Sequence, residues 1–180
     1  MTSYRAWVTC LLQFRGRHRP VMEPNRYTEL FFLDEATALS AGHRPCGECR
    51  RADFLRFKQT WLVANRVRGL GPDVLIGAID RELHRDRLGP DGRARTHLAE
   101  LGGLPDGVFV VLPGVAEALL VWRGGLAPWS PAGYGPVRAL PRDPQARVLT
   151  PRSTVATIAA GYAPGVHPSL RPRSRSVARR

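Results

Sequence analysis

Lysine is almost absent from this chain: of 27 basic residues only Lys58 is lysine, and the others are arginine. Acidic residues are also few, 15 in all, which leaves a formal charge of +12. Cysteine occurs only at Cys10, Cys46 and Cys49. An odd and small number of cysteines builds no disulfide framework. No apolar run reaches the ~18 residues of a membrane span. Residues 1–5 do not open an apolar stretch with a small-residue cleavage site, so no secretory signal is expected and the cytoplasm is the expected compartment. What remains is 180 residues, 43% hydrophobic, with mean hydropathy −0.22. That is enough chain to bury a core without staples, and it excludes a disordered, collagen-like or coiled-coil protein.

The positive charge is unevenly placed. Residues 59–107 are neutral overall, whereas 168–180 hold five arginines and no acid. A basic surface suits a polyanion, so nucleic acid, DNA before RNA, is the expected partner and a membrane is not. The same arginine excess, beside 18 glycines and 16 prolines, is also what a high-GC genome produces without any functional demand.

Residues 4–14 alternate in the manner of a strand, which would point Cys10 to the side of Val8 and Leu12. Arg15–Pro20 is a basic turn, and Tyr27–Leu33 reads as a second short extended segment. Asp34 suits an N-cap, Ala36, Ala38 and Leu39 fill the helix that follows, and Gly42 ends it. A second helix is expected from about Arg50 to Val67. It places Phe54, Phe57 and Trp61 on one buried stripe. A third runs from an Asp73 cap to about Leu88, with Leu75, Ile76, Ile79 and Leu83 on its apolar face. Residues 89–107 read as loop. Val108–Leu112, Ala118–Trp122, Gly135–Leu140 and Arg147–Leu149 read as short strands. Ser153 or Thr154 would cap a last helix, Val155–Ala160, and the residues after His167 would form a disordered basic tail.

Cys46 and Cys49 form a C-x-x-C on a tight knuckle, HRPCGEC. Two thiolates at that spacing reach one tetrahedral zinc, with Zn–S of ~2.3 Å, and the helix start that follows favours thiolate. By themselves the two are half a metal site or a redox pair, and for a metal site Cys10 is the candidate third ligand. Candidates for a fourth are His18, His43, His84 or water. Arg15, Arg17, Arg19, Arg44, Arg50 and Arg51 flank these cysteines in sequence and would converge on phosphate if the metal draws the two segments together. Asp80 and His84, at i and i+4, have the spacing of a carboxylate-oriented general base, or of a plain surface contact.

The expected fold class is therefore α+β. A small N-terminal zinc-knuckle α/β unit packed with helices spans 1–68, and a helix-and-loop connector spans 69–107. A short-stranded antiparallel meander with a terminal helix spans 108–167, and the tail 168–180 follows. Zinc is the expected cofactor.

FFLDEATALSAGHRPCGECRRADF, residues 31–54, resembles the second half of the Ada-type metal-binding domain, the zinc module of bacterial alkylation-response proteins. The resemblance covers about 24 residues, and AGHRPCGEC is its specific core. It implies zinc held by four cysteines, the last two mapping onto Cys46 and Cys49. One of the first two would take a methyl group from a DNA phosphotriester. In that first half the present chain has only Cys10, thirty-six residues before Cys46. Three readings follow: a zinc-binding, nucleic-acid-associated protein linked to DNA alkylation repair; a zinc-dependent enzyme, either methyl acceptor or metal-assisted hydrolase; or a zinc-stabilised protein-interaction module.

Overall fold

The computed structural model describes residues 5–16, 29–66, 69–141 and 145–170. Their order is β1 (Val8–Thr9), α1 (Glu35–Ser40), β2 (Arg44–Pro45), α2 (Arg51–Ala64), α3 (Ile76–Arg87), β3 (His97–Glu100), β4 (Phe109–Val111), β5 (Leu119–Trp122), β6 (Gly125–Ser130), β7 (Gly133–Tyr134), β8 (Arg138–Ala139), β9 (Gln145–Val148) and α4 (Arg152–Ala159). This is an α+β fold. Its main sheet is antiparallel, in the order β3-β9-β4-β5-β6-β7, with β8 also on β6.

Alternation along the strands gives the sheet two buried faces. Val110, Leu119, Val121, Leu126, Ala146 and Val148 meet Phe57 and Trp61 of α2, Ile79 and Leu83 of α3, and Ile158 of α4 in one core. Phe109, Leu120, Ala127 and Tyr134 turn the other way and pack with Ala36 of α1. The aromatic stripe expected on α2 is buried, as its spacing requires. Residues 69–107, expected as a connector, supply α3 to this core and β3 to the sheet edge.

Local signals account for several helix ends. Asp34 Oδ1 accepts the Thr37 amide at 2.8 Å and caps α1. Gly42 follows with φ +79°, a conformation that a side chain resists. Other ends differ from the sequence reading. α3 starts at Ile76, and Leu75, expected on its apolar face, is 82% exposed. Ser153 and Thr154 lie inside α4 rather than ahead of it. The capping carboxylate comes from another element: Asp86 Oδ2 accepts the Ser153 amide at 3.0 Å.

Of the N-terminal segment read as a strand, only Val8–Thr9 pairs. Residues 29–33 form no strand, while 27–28 lie outside the described residues. The first residues of the expected tail, up to Leu170, are held on the fold. Ser169 Oγ accepts the Tyr134 amide at 2.8 Å, and Leu170 packs on the smaller core. Residues 171–180 lie outside the described residues.

Candidate metal centre

The centre is assembled by the parallel pairing of β1 with β2, in the register Val8↔Arg44 and Thr9↔Pro45. The Arg44 amide donates to Trp7 O and the Cys46 amide to Thr9 O, both at 3.0 Å. These bonds bring Cys10, the residue after β1, alongside Cys46, the residue after β2. The knuckle then turns into α2, with the Arg50 amide donating to Cys46 O at 3.2 Å. The resulting turn brings Cys49 back beside Cys46. All three Sγ atoms lie within 4.8 Å of one another, close enough to hold a metal ion. Tetrahedral coordination at ~2.3 Å separates thiolate sulfurs by ~3.8 Å, so a small side-chain adjustment suffices.

Backbone amides already point at the sulfurs. Leu11 N–H donates to Cys49 Sγ at 3.3 Å and Glu48 N–H to Cys46 Sγ at 3.5 Å. For Cys46, burial works against the thiolate. It is outweighed by the amides of Cys49 and Glu48 and by the Cys49 and Cys10 thiols, which hold the group below its ordinary value. Cys10 moves the opposite way, up to about 12, through burial first and then through the charge and hydrogen bond of Cys46. Within the cluster, ionisation is therefore easier at Cys46 than at Cys10, and a bound cation would favour it at both. Cys10 is exposed, and the other two are half-buried.

The ligands are held by struts rather than by hydrophobic packing alone. Arg44 is buried, and its fork donates to both oxygens of Asp80 on α3, Nε to Oδ1 at 2.7 Å and NH2 to Oδ2 at 2.8 Å. Its NH1 donates to Pro45 O at 3.1 Å. Arg87, seven residues further along α3, donates to Gly42 O and Arg5 O and lies 3.8 Å over the Trp7 ring. One face of α3 therefore grips the knuckle through Arg44 and the N-terminal segment through Arg87. Arg50 reaches Glu35 at 3.0 Å and Asp53 at 2.8 Å.

These contacts sort the arginines expected at a phosphate surface. Arg44 does not serve there, because its guanidinium is committed to Asp80 in the interior. Arg50 is likewise committed to Glu35 and Asp53. Arg51 and Arg15 are exposed, each beside a phenyl ring, Phe54 and Phe14 respectively. Arg17 and Arg19 lie outside the described residues.

The histidine expectations also change. His43 packs against Trp7, tilted by 37° at 5.2 Å, and edge-on against Phe32 at 4.7 Å between ring centres. Burial and then the Arg87 charge push it down to about 4. His84 meets the Arg87 guanidinium at 3.0 Å, so Asp80 orients an arginine and not this imidazole. His18 is outside the described residues. Among the described residues no histidine or carboxylate joins the three thiols.

No family model, curated protein or solved structure matches the chain. The three cysteines are therefore read from their geometry. Sequence reasoning named all three but missed Asp80 and Arg87 as the residues that position them. An acid 36 residues from its arginine leaves no local pattern. No helix among the described residues is long and apolar enough to cross a membrane.

Proposed function

We propose that this chain binds zinc through Cys10, Cys46 and Cys49 and acts on nucleic acid, in the manner of the Ada-type domain that residues 31–54 resemble. The observation that carries the reading is the convergence of three thiols from two distant segments. Soft thiolates favour zinc over the hard cations that carboxylates and carbonyls select. Three protein ligands leave a fourth position for water, for substrate or for a group from residues 17–28. Zinc would supply charge neutralisation that lets all three sulfurs be thiolates at neutral pH. Cys10, the exposed member, is then the nucleophile. Its Sγ bonds to the methyl carbon of a DNA phosphotriester, the carbon–oxygen bond breaks, and the phosphodiester leaves with the electron pair. Arg15 and Arg51 remain for the flanking phosphates.

A second reading draws on the short strand pairing of the N-terminal segment, which among the described residues joins a sheet through the two residues of β1. A metal tying Cys10 to the knuckle would then be a structural clasp, and the chain an interaction module.

Native mass spectrometry decides the metal: one zinc per chain is expected, lost in Cys46→Ser. A metal-free protein of unchanged stability in excess zinc would overturn the reading. Incubation with duplex carrying methyl phosphotriesters then separates the two roles. Methylation mapped to Cys10 supports repair chemistry, and a zinc-loaded chain that stays unmethylated supports the clasp.

A further inference from the structure

A cleft of about 150 Å³, lined by Asp86, Arg95, Thr96, His97 and Arg152, lies where three elements meet. Asp86 comes from the last turn of α3, Arg95 and Thr96 lead into β3, His97 opens that strand, and Arg152 is the first residue of α4. We propose that this cleft binds a phosphate group, independently of the cysteine centre.

The charge balance favours an anion. Two arginines and one acid line the cleft, and the carboxylate of that acid already accepts the Ser153 amide. Burial and then the Arg152 charge hold His97 below its ordinary value, with Asp86 opposing. At neutral pH the imidazole therefore offers one N–H rather than a third cation. Thr96 adds a hydroxyl. Forked guanidinium donors with neutral N–H and O–H donors beside them suit the oxygens of a tetrahedral oxyanion. The volume argues for a compact group, since pockets for drug-sized ligands run to ~300–1,000 Å³.

The walls are tied to one another before any ligand arrives. The Arg95 amide donates to Arg87 O at 2.9 Å, which fixes Arg95 against the end of α3. The turn between them closes with the Gly89 amide on Arg93 O at 2.8 Å and a bridge between Leu88 and Ala94. The Asp86–Ser153 bond fixes the start of α4 against α3, and His97 is registered against Val148 of β9. The backbone that carries these donors is thus fixed in advance, and binding has only their side chains, exposed at Arg95, Thr96 and Arg152, to order.

The phosphate can be free or part of a polynucleotide, and the test has an arm for each. NMR of the full chain follows the His97 ring and Arg95 side-chain signals against inorganic phosphate to about 20 mM and, separately, against a short unmodified duplex. A saturable shift with inorganic phosphate supports a free-phosphate site. A shift with the duplex alone supports a polynucleotide phosphate. In either arm Arg95→Ala or Arg152→Ala should weaken binding about tenfold. The exposed Arg123→Ala, as a control, should leave it unchanged. No saturation in either arm, or a shift that survives Arg95→Ala with Arg152→Ala, would overturn the proposal. The cysteine variant Cys46→Ser should bind phosphate as the parent does, so a failed metal site leaves this test standing.

Discussion

Replacing Asp80 by leucine removes the acceptor that holds Arg44 inside the protein. The pair is bidentate, at 2.7 and 2.8 Å, with side chains only 6% and 7% exposed. Breaking such a buried pair from one side strands a charge and typically costs about 3–5 kcal/mol. For a chain of this size that corresponds to a melting temperature lower by about 6–20 °C. Arg44 keeps its bond to Pro45 O and its place 5.4 Å over the Phe54 ring, which favours the lower half of that range. The double variant Arg44→Met with Asp80→Leu should recover much of the loss, because no charge is then stranded. Urea unfolding of parent, both single variants and the double variant gives the cycle. Arg44 also lies two residues before Cys46, so Asp80→Leu should speed alkylation of that thiol in the zinc-free chain. A loss below about 1 kcal/mol for Asp80→Leu, or a double variant as unstable as the two singles combined, would refute the strut.

Three further outcomes are expected. His43 is held at about 4 when folded and titrates near 6.5 when unfolded, so below pH 6.5 the unfolded chain gains a proton that the folded chain refuses. Stability should fall as pH drops from 6.5 toward 4, by about 2 kcal/mol at pH 5, and His43→Phe should flatten that slope in paired urea melts. Gly42→Ala should cost about 2–3 kcal/mol by thermal melt: φ is +79°, and the new Cβ meets Arg87 Cδ at 2.6 Å on a side chain pinned at both ends. Ending the chain at Pro168 instead of Leu170 should cost about 1–3 kcal/mol, because the Tyr134 amide loses its Ser169 acceptor; equal melting of the two truncations would show that contact to be idle.

Residues whose role is local were legible in the sequence. Asp34 caps α1 because its partner Thr37 is three residues away. Phe54, Phe57 and Trp61 share a face by helix periodicity alone. The knuckle is a feature of adjacent residues, and Cys10 entered through the resemblance of residues 31–54 to the Ada-type module. What was missed depends on distant partners. β3, His97–Glu100, contains no β-branched or aromatic strand former and exists because β9 pairs with it. β6 contains Gly125 and Pro128 and lies in a stretch where no strand was expected. Pro128 is nevertheless placed opposite Leu119, and its carbonyl accepts the Gly135 amide at 2.8 Å. Asp80 read as a partner for His84 because four residues separate them. The partner it meets, Arg44, enters from another element.

The two adjacent carboxylates at the start of α1 connect early chain to late chain. Asp34 Oδ2 accepts the Tyr134 hydroxyl and the His167 amide, at 2.7 and 2.9 Å. Glu35 accepts the Tyr162 hydroxyl at 2.6 Å and the Gly165 amide at 2.8 Å. During synthesis these acids emerge more than a hundred residues before most of the donors that meet them in the folded state, and at ~5–20 residues per second the interval lasts many seconds. For that time Glu35, which ends up buried, has Arg50, its ion-pair partner in the fold, already synthesised, but not Tyr162 or Gly165. The segment carrying Cys10, Cys46 and Cys49 is exposed on the ribosome through the same interval, and zinc captured then would hold β1 against β2 before the sheet exists. Metal supply during translation, rather than afterwards, would then govern how much of the chain reaches its folded state.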